Sequence, residues 1–180
     1  MKTWHKDLYR YEGENSSKLL VKLKYIFFVP GFTYTYFFRN SQSSFFGGAL
    51  FRMFLKLNSY ITHIQIPPQC QIGEGLYIGH FGSIIINPEA IIGRNFSIAA
   101  GTLVGNAQGK RKGTPTIGNN VYMGRNAIVI GGIKIGNNVL IAPGAFVNFD
   151  VPDNCIVVGN PGKIIQKESS PTAKYMVYTV

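Results

Sequence analysis

The sequence predicts a mainly β protein, a parallel β-helix behind a short α-helical N-terminal region, and two observations carry that prediction. The first is a six-residue beat. From Ile66 a large aliphatic residue returns at Ile72 and Ile78, then after a two-residue slip at Ile86, Ile92, Ile98 and Val104, and after a longer break at Ile117, Met123, Val129, Ile135, Ile141 and Val147. A period of six fits neither a helix nor a hairpin series; each unit is one short strand plus a corner and buries its anchor only by stacking on its neighbours. Three hexads close one triangular coil of about eighteen residues, which places Ile117 under Ile135, Met123 under Ile141 and Val129 under Val147, about 4.8 Å apart. The second observation is corner chemistry. Gly or Ala follows the anchor at Gly73, Gly79, Gly93, Ala99, Gly118, Gly124, Gly136 and Ala142, and Asn recurs at Asn119-Asn120 and Asn137-Asn138, residues that tolerate the left-handed conformation of tight corners. A second, mostly smaller apolar position follows each anchor by four: Cys70, Ala90, Thr102, Val121, Ala127, Val139 and Ala145.

Taken in order, residues 1–62 form an aromatic-rich helical cap or interface region, 63–166 the β-helix, and 167–180 a tail. Met1 to Glu14 is polar and charged without a cleavage pattern, so no signal peptide is expected. Ser16 to Val29 reads as a helix capped by Ser16 or Ser17, Pro30-Gly31 as a break, and Phe45 to Tyr60 as a second helix. Phe27, Phe28, Phe32, Tyr34, Tyr36, Phe37, Phe38, Phe45, Phe46, Phe51 and Phe54 exceed what two short helices bury against each other. They pack across the first coil, form a subunit interface, or rest on lipid headgroups with Lys18, Lys22, Lys24, Arg39, Arg52 and Lys56 toward anionic lipid.

The formal net charge of +10 favours anionic partners. Nucleic acid is not expected: basic residues are scattered outside Lys110, Arg111 and Lys112, and no nucleic-acid-binding motif accompanies them. Cys70 and Cys155 have no metal-ligand spacing, so neither a metal site nor a disulfide framework is expected. The most apolar stretch, Leu19 to Phe38, contains Lys22, Lys24 and Pro30 and does not read as a membrane span. The expectation is a cytoplasmic protein, free or resting on the inner face of the membrane.

Solenoids carry function where the repeat is interrupted, because inserted residues must leave the wall. One interruption is Gly79-His80-Phe81-Gly82-Ser83; the other is Gly105 to Thr116, GNAQGKRKGTPT. His80 is the only histidine inside the repeat, and a free imidazole suits general-base work on a hydroxyl. It also reads as a surface histidine at a turn, and His5 and His63 as structural or solvated. Lys110, Arg111 and Lys112 either fold over a phosphate-bearing cofactor or form a solvated basic loop.

Three segments, IGEGLYIGHFGSIIINPEAIIG, GKRKGTPTIGNNVYMG and IGNNVLIAPGAFVNFDVPDNCIVVGNPGKII, resemble the hexapeptide-repeat acyltransferases with a left-handed parallel β-helix, and their serine acetyltransferase-like branch above all. The left hand is known from that family. The resemblance implies an acetyl-CoA-dependent O-acetyltransferase, without a metal, working as a homotrimer or a dimer of trimers with sites between neighbouring solenoids. His80 aligns with the family's catalytic histidine, which takes the acceptor hydroxyl's proton as the oxygen attacks the thioester, with no acyl-enzyme. Gly105, Gly124, Arg125, Ala142, Pro143 and Lys163 occupy matching wall or tail positions for acetyl-CoA, with Lys163 and Arg125 toward its nucleotide phosphates, and Lys110 and Arg111 of the basic loop are further candidates for binding it.

The chain departs from serine acetyltransferases at the acceptor side. Where those enzymes carry two aspartates and a second histidine, it has Gln65, Gly79 and Thr114; with Phe81 these are the expected acceptor-pocket residues. Its N-terminal region is also shorter. A zwitterion needs countercharges, so the expected acceptor is a sugar hydroxyl in surface or capsular polysaccharide synthesis, with L-serine, for cysteine biosynthesis, as the alternative. A non-catalytic scaffold is a further reading. The γ-type carbonic anhydrases share the solenoid but need three convergent histidines, which His5, His63 and His80 do not supply.

Overall fold

The computed structural model describes residues 3–43 and 46–180. Four helices come first: α1 (Thr3–Glu12), α2 (Leu19–Phe28), α3 (Pro30–Ser41) and α4 (Phe46–Thr62). Fifteen short strands follow: β1 (Ile64–Gln65), β2 (Gln71–Ile72), β3 (Tyr77–Ile78), β4 (Ile84–Ile86), β5 (Ile91–Ile92), β6 (Ser97–Ile98), β7 (Leu103–Gly105), β8 (Thr116–Ile117), β9 (Tyr122–Met123), β10 (Ile128–Ile130), β11 (Lys134–Ile135), β12 (Leu140–Ile141), β13 (Phe146–Val147), β14 (Cys155–Val158) and β15 (Lys163–Gln166).

Every third strand stacks on the same wall, giving three sheets in the orders β1-β4-β7-β10-β13, β2-β5-β8-β11 and β3-β6-β9-β12-β14-β15. All pairs are parallel except the closing β14–β15 hairpin. The register is the one the six-residue beat predicts: Ile117 pairs with Ile135, Met123 with Ile141 and Val129 with Val147. Both interruptions leave the ladder intact, since Ile86 still pairs with Val104 and Ile92 with Ile117. Every anchor from Ile66 to Val147 is buried, as are the smaller residues four positions on.

The corner between the second and third sheets is a hydrogen-bonded ladder. Asn95, Asn120, Asn138 and Asn154 all hold positive φ, between 54° and 56°. The first three each donate a side-chain amide to the next carboxamide oxygen, Asn95 to Asn120 at 2.9 Å, Asn120 to Asn138 and Asn138 to Asn154 at 3.0 Å. The tail closes this ladder's first rung, because Asn95 exchanges two 2.9 Å bonds with the backbone of Val180.

The N-terminal region departs from the sequence reading in three ways. The helix expected from Ser16 begins at Leu19, with Lys18 at its cap position and no side-chain cap, because Gly13–Ser17 winds as a 3-10 turn. Pro30 does end that helix, but it also opens α3, where its fixed φ and missing N–H suit the first turn. Thr3–Glu12 is helical despite its polar composition. The expected helix from Phe45 is α4, running to Thr62; Phe45 itself lies outside the described residues.

Helix α3 covers the open first coil. Tyr34 and Phe38 join one apolar cluster with Ile64, Ile66, Ile72 and Ile78, and the Tyr34 hydroxyl accepts the Ile66 N–H at 2.9 Å. A buried ion pair fastens α1 to α3: Asp7 takes Arg39 Nε at 2.8 Å and the backbone N–H groups of Gly75 and Leu76, each at 2.8 Å. Arg39 in turn donates to the carbonyls of Ile72 and Gly73. Among the described residues no helix is long and apolar enough to cross a membrane, and Cys70 and Cys155 are buried free thiols.

Candidate functional site

The site begins where the first coil breaks step. Between Ile78 and Ile84 two extra residues leave the wall, and the loop turns back through Gly82 (φ 119°) and Ser83 (φ 46°). His80 sits exposed on this loop, and among the described residues none hydrogen-bonds its imidazole. The strand feeding it is held from outside. Tyr11 of α1 accepts the Ile78 N–H at 2.9 Å and donates to the Ile78 carbonyl at 3.1 Å, and its ring lies 4.4 Å from that of Tyr77. Burial pushes the Tyr11 phenol far above its usual range, so it stays a neutral donor.

His80 opens on a cleft of about 230 Å³ lined by Tyr77, Gly79, Ser97, Ile98, Ala99, Tyr122 and Tyr175. The outward positions of the third sheet supply its floor, and the tail supplies its cover: Tyr175 lies 5.0 Å from Tyr122, ring to ring. Burial, and then Tyr175 and Tyr77, raise the Tyr122 phenol pKa. Ser97 is engaged from below by Arg10, whose Nη2 donates to its hydroxyl at 2.9 Å. Tyr77, Ser97, Tyr122 and Tyr175 were not among the residues the sequence singled out. The outward phase of the hexad, one residue before each anchor, points to the first three; nothing local points to Tyr175.

From His80 a continuous edge runs along the solenoid, where the third sheet turns into the first. Its rungs are backbone hydrogen bonds between successive corners: Gly101 N–H to Gly82, Asn126 N–H to Ala100 and Gly144 N–H to Arg125, at 2.8–3.0 Å. Gly79, His80, Phe81, Gly124, Arg125, Ala142 and Pro143 all stand on this edge. Gly124 is needed there, because a Cβ would meet Pro143 N at 2.7 Å and Pro143 Cδ at 2.8 Å. At the far end the turn before Lys163 docks on Phe146, Gly162 N–H donating to its carbonyl at 2.9 Å. Four coil steps separate His80 from that turn, about 19 Å at the parallel-strand spacing.

The remaining predicted residues stand elsewhere. Gly105, Lys110, Arg111 and Thr114 belong to the opposite edge of the first sheet, where it turns into the second. The loop there is a tight hairpin: Ala107 and Gly113 exchange both backbone hydrogen bonds, at 3.0 and 3.1 Å. Lys110 and Lys112 are exposed, whereas Arg111 is latched to Asp150 at 2.8 Å. The Lys134 backbone N–H and then Arg111 hold the Asp150 carboxyl below its usual range. Thr114 donates its hydroxyl to the Glu89 carbonyl at 3.1 Å. Gln65 lines a separate hollow of about 610 Å³ under α4, with Tyr34, His63 and Pro67. A single chain therefore brings Gly79 and His80 together in one cleft and leaves Gln65 and Thr114 outside it.

Gly79 is informative by what surrounds it. A Cβ there would stand 3.1 Å from Tyr77 Cε1, so Tyr77 crowds the space into which a side chain beside His80 would grow.

Comparison with known proteins places this arrangement. Residues 114–148 match the model described as bacterial transferase hexapeptide (six repeats). A serine acetyltransferase of Helicobacter pylori is 38% identical over 65% of this chain and 69% of its own length. One from Synechococcus elongatus is 39% identical over 64% of this chain. The chain spans about half, 48%, of that relative's length. Among solved structures, the Neisseria gonorrhoeae serine acetyltransferase in complex with serine superposes with a TM-score of 0.72 at 28% identity, covering 90% of this chain and 67% of that one. Its parallel hexapeptide solenoid, its helical N-terminal region and these relatives show that the chain belongs to the serine acetyltransferase family of hexapeptide-repeat transferases.

Proposed function

We propose that this chain transfers the acetyl group of acetyl-CoA directly to a hydroxyl, with His80 as general base. The observation that carries the reading is the placement of an exposed, unengaged imidazole in a cleft at the head of a straight edge of stacked corners. His80 takes the hydroxyl proton as the oxygen attacks the thioester carbonyl, the C–S bond breaks, and the thiolate of CoA leaves to take up a proton. A positioned base of this kind contributes about two to four orders of magnitude. Gly124, Arg125, Ala142, Pro143 and Lys163 border the path of the pantetheine arm and nucleotide, and Lys110 and Arg111 belong to the loop of a neighbouring copy. That division supports a homotrimer, because one chain holds its base and its basic loop on opposite edges of one sheet.

L-serine is the acceptor that the relatives favour, since those reported above are serine acetyltransferases and one was solved with serine. A second reading, a saccharide hydroxyl, rests on a specific observation: among the described residues of one chain no carboxylate lines the His80 cleft, and Tyr77 crowds position 79. Thiol release from acetyl-CoA, measured with L-serine and with a panel of sugars, separates the two. His80→Ala is expected to lower turnover at least about a hundredfold with the oligomer unchanged; undiminished turnover overturns the mechanism.

A further inference from the structure

Helices α2 and α4 leave a large apolar surface uncovered. No residue of α2 is buried, and Leu19, Leu20, Leu23, Phe27 and Phe28 are all exposed, Leu20 and Phe28 at 79%. Leu19, Leu23 and Phe27 follow one another at i, i+4 and i+8, and Leu20, Lys24 and Phe28 form the adjoining row, so the residues share one helical face. Helix α4 repeats the pattern: Leu50, Met53, Leu57, Tyr60 and Ile61 are exposed at the spacing of one apolar stripe, Ile61 at 74%. Both helices sit at the N-terminal end of the solenoid. α2 is tied to α3 through the Thr33 hydroxyl, which donates to the Ile26 carbonyl. α4 stacks Phe54 on Phe37 of α3, 5.6 Å between rings, and leads into β1.

Charge identifies the occupant. Between Glu14 and Glu74 the sequence contains no Asp or Glu, while Lys18, Lys22, Lys24, Arg39, Arg52 and Lys56 all fall there. Arg39 is spent on Asp7, but Lys18, Lys24, Arg52 and Lys56 are exposed beside the apolar faces. A second copy seated on the same surface would set these cations against their equivalents, with no carboxylate on α2, α3 or α4 and only Glu12, held by Tyr25, and Glu14 near the start of α2 to pair them. An anionic bilayer pairs them all and accepts the apolar rows between them. At about 15 Å and 25 Å, the helices are shorter than the ~30 Å hydrocarbon layer, so they lie in the interface.

We propose that α2, with the stripe of α4, docks this protein on an anionic lipid surface. The test is co-sedimentation of the full chain with vesicles of phosphatidylcholine alone and with 30% (about one lipid in three) phosphatidylglycerol. Binding is expected only to the anionic vesicles and falls with added salt. F27Q/F28Q on α2 and L57Q/I61Q on α4 each weaken it about tenfold or more, and K22E/K24E does the same. These side chains are exposed or half-buried, and circular dichroism checks that the variants keep the fold. Equal binding to both vesicle types, no binding to either, or binding unmoved by the α2 variants overturns the proposal. If vesicles do not bind and F27Q/F28Q instead lowers the sedimentation mass of the free protein, the face belongs to a second copy.

Discussion

The buried Asp7–Arg39 pair sets a sharp test of how the helical region is held to the solenoid. Arg39→Met removes a guanidinium that donates to both carboxylate oxygens of Asp7, at 2.8 and 3.1 Å, and to the carbonyls of Ile72 and Gly73, each at 2.6 Å. Asp7 is fully enclosed, so the variant leaves a carboxylate in an apolar setting with only the Gly75 and Leu76 amides to satisfy it. Breaking a buried pair in this way costs about 3–5 kcal/mol, and for a chain of this size that lowers the midpoint of thermal unfolding by roughly 6–20 °C. The pH dependence supplies an independent arm. Burial already pushes the Asp7 carboxyl above its usual range, against the pull of Arg39 and the two amides. Without Arg39 it rises further. For a carboxyl whose folded pKa lies above the unfolded value, the native state binds the extra proton, so stability is retained at low pH and lost as pH rises through the folded value. The Arg39→Met deficit, read by urea titration of the far-ultraviolet signal, is therefore expected to shrink between pH 8 and pH 5. A loss below about 1 kcal/mol, or one independent of pH, would refute the account of an uncompensated buried charge.

Two further perturbations address the solenoid itself. Asn138→Ala removes both carboxamide bonds of its rung and forces a Cβ residue without a local hydrogen bond to hold φ near 56°, a combined cost of about 2–4 kcal/mol. Asn138→Gly keeps the backbone conformation and forfeits only the bonds, so it should cost roughly half as much; a glycine variant as stable as the parent would show that the ladder contributes nothing. The Arg111–Asp150 latch should survive acidification well below neutrality, because the Asp150 pKa is depressed: the contact is present above the unfolded carboxyl value and lost as pH falls through the lower folded one. Amide-exchange protection at Lys134, corrected for the intrinsic rate, reports it; protection already lost at pH 5 would count against the latch.

The β-helix was legible because a buried anchor recurs every six residues along its short strands, and a column of such residues leaves a period that neither a helix nor a hairpin series shares. Among the N-terminal helices, α2 and α4 were legible with shifted ends, from Ser16 to Val29 and from Phe45 to Tyr60, whereas α1 and α3 were not, for a physical reason visible in their residues. In α1 the enclosed side chains are Asp7, Leu8 and Arg10, two of them charged, and what makes them burial-competent lies 65 to 87 positions away in Gly75, Leu76 and Ser97. A hydrophobic pattern cannot report an element whose inner face is polar and satisfied at long range. Helix α3 hid behind Pro30, which looks like a stop from the preceding side and is a start from the following one, and behind Thr, Tyr and Phe, whose helix propensity is low.

The candidate site divides in the same way. His80 was legible because the slip that carries it breaks the hexad, whereas Tyr175 reaches the same cleft from the tail, more than ninety positions later. One departure at the acceptor side, the glycine beside His80, is joined by the structure to helix α1. Tyr11 of the short α1 both hydrogen-bonds the end of β3 and packs its ring against Tyr77, and Tyr77 crowds the position where a side chain at residue 79 would grow. A larger residue there would have to displace a ring already backed by α1, at the strand end that presents the imidazole. The helix that steadies His80 thus favours a small residue beside it.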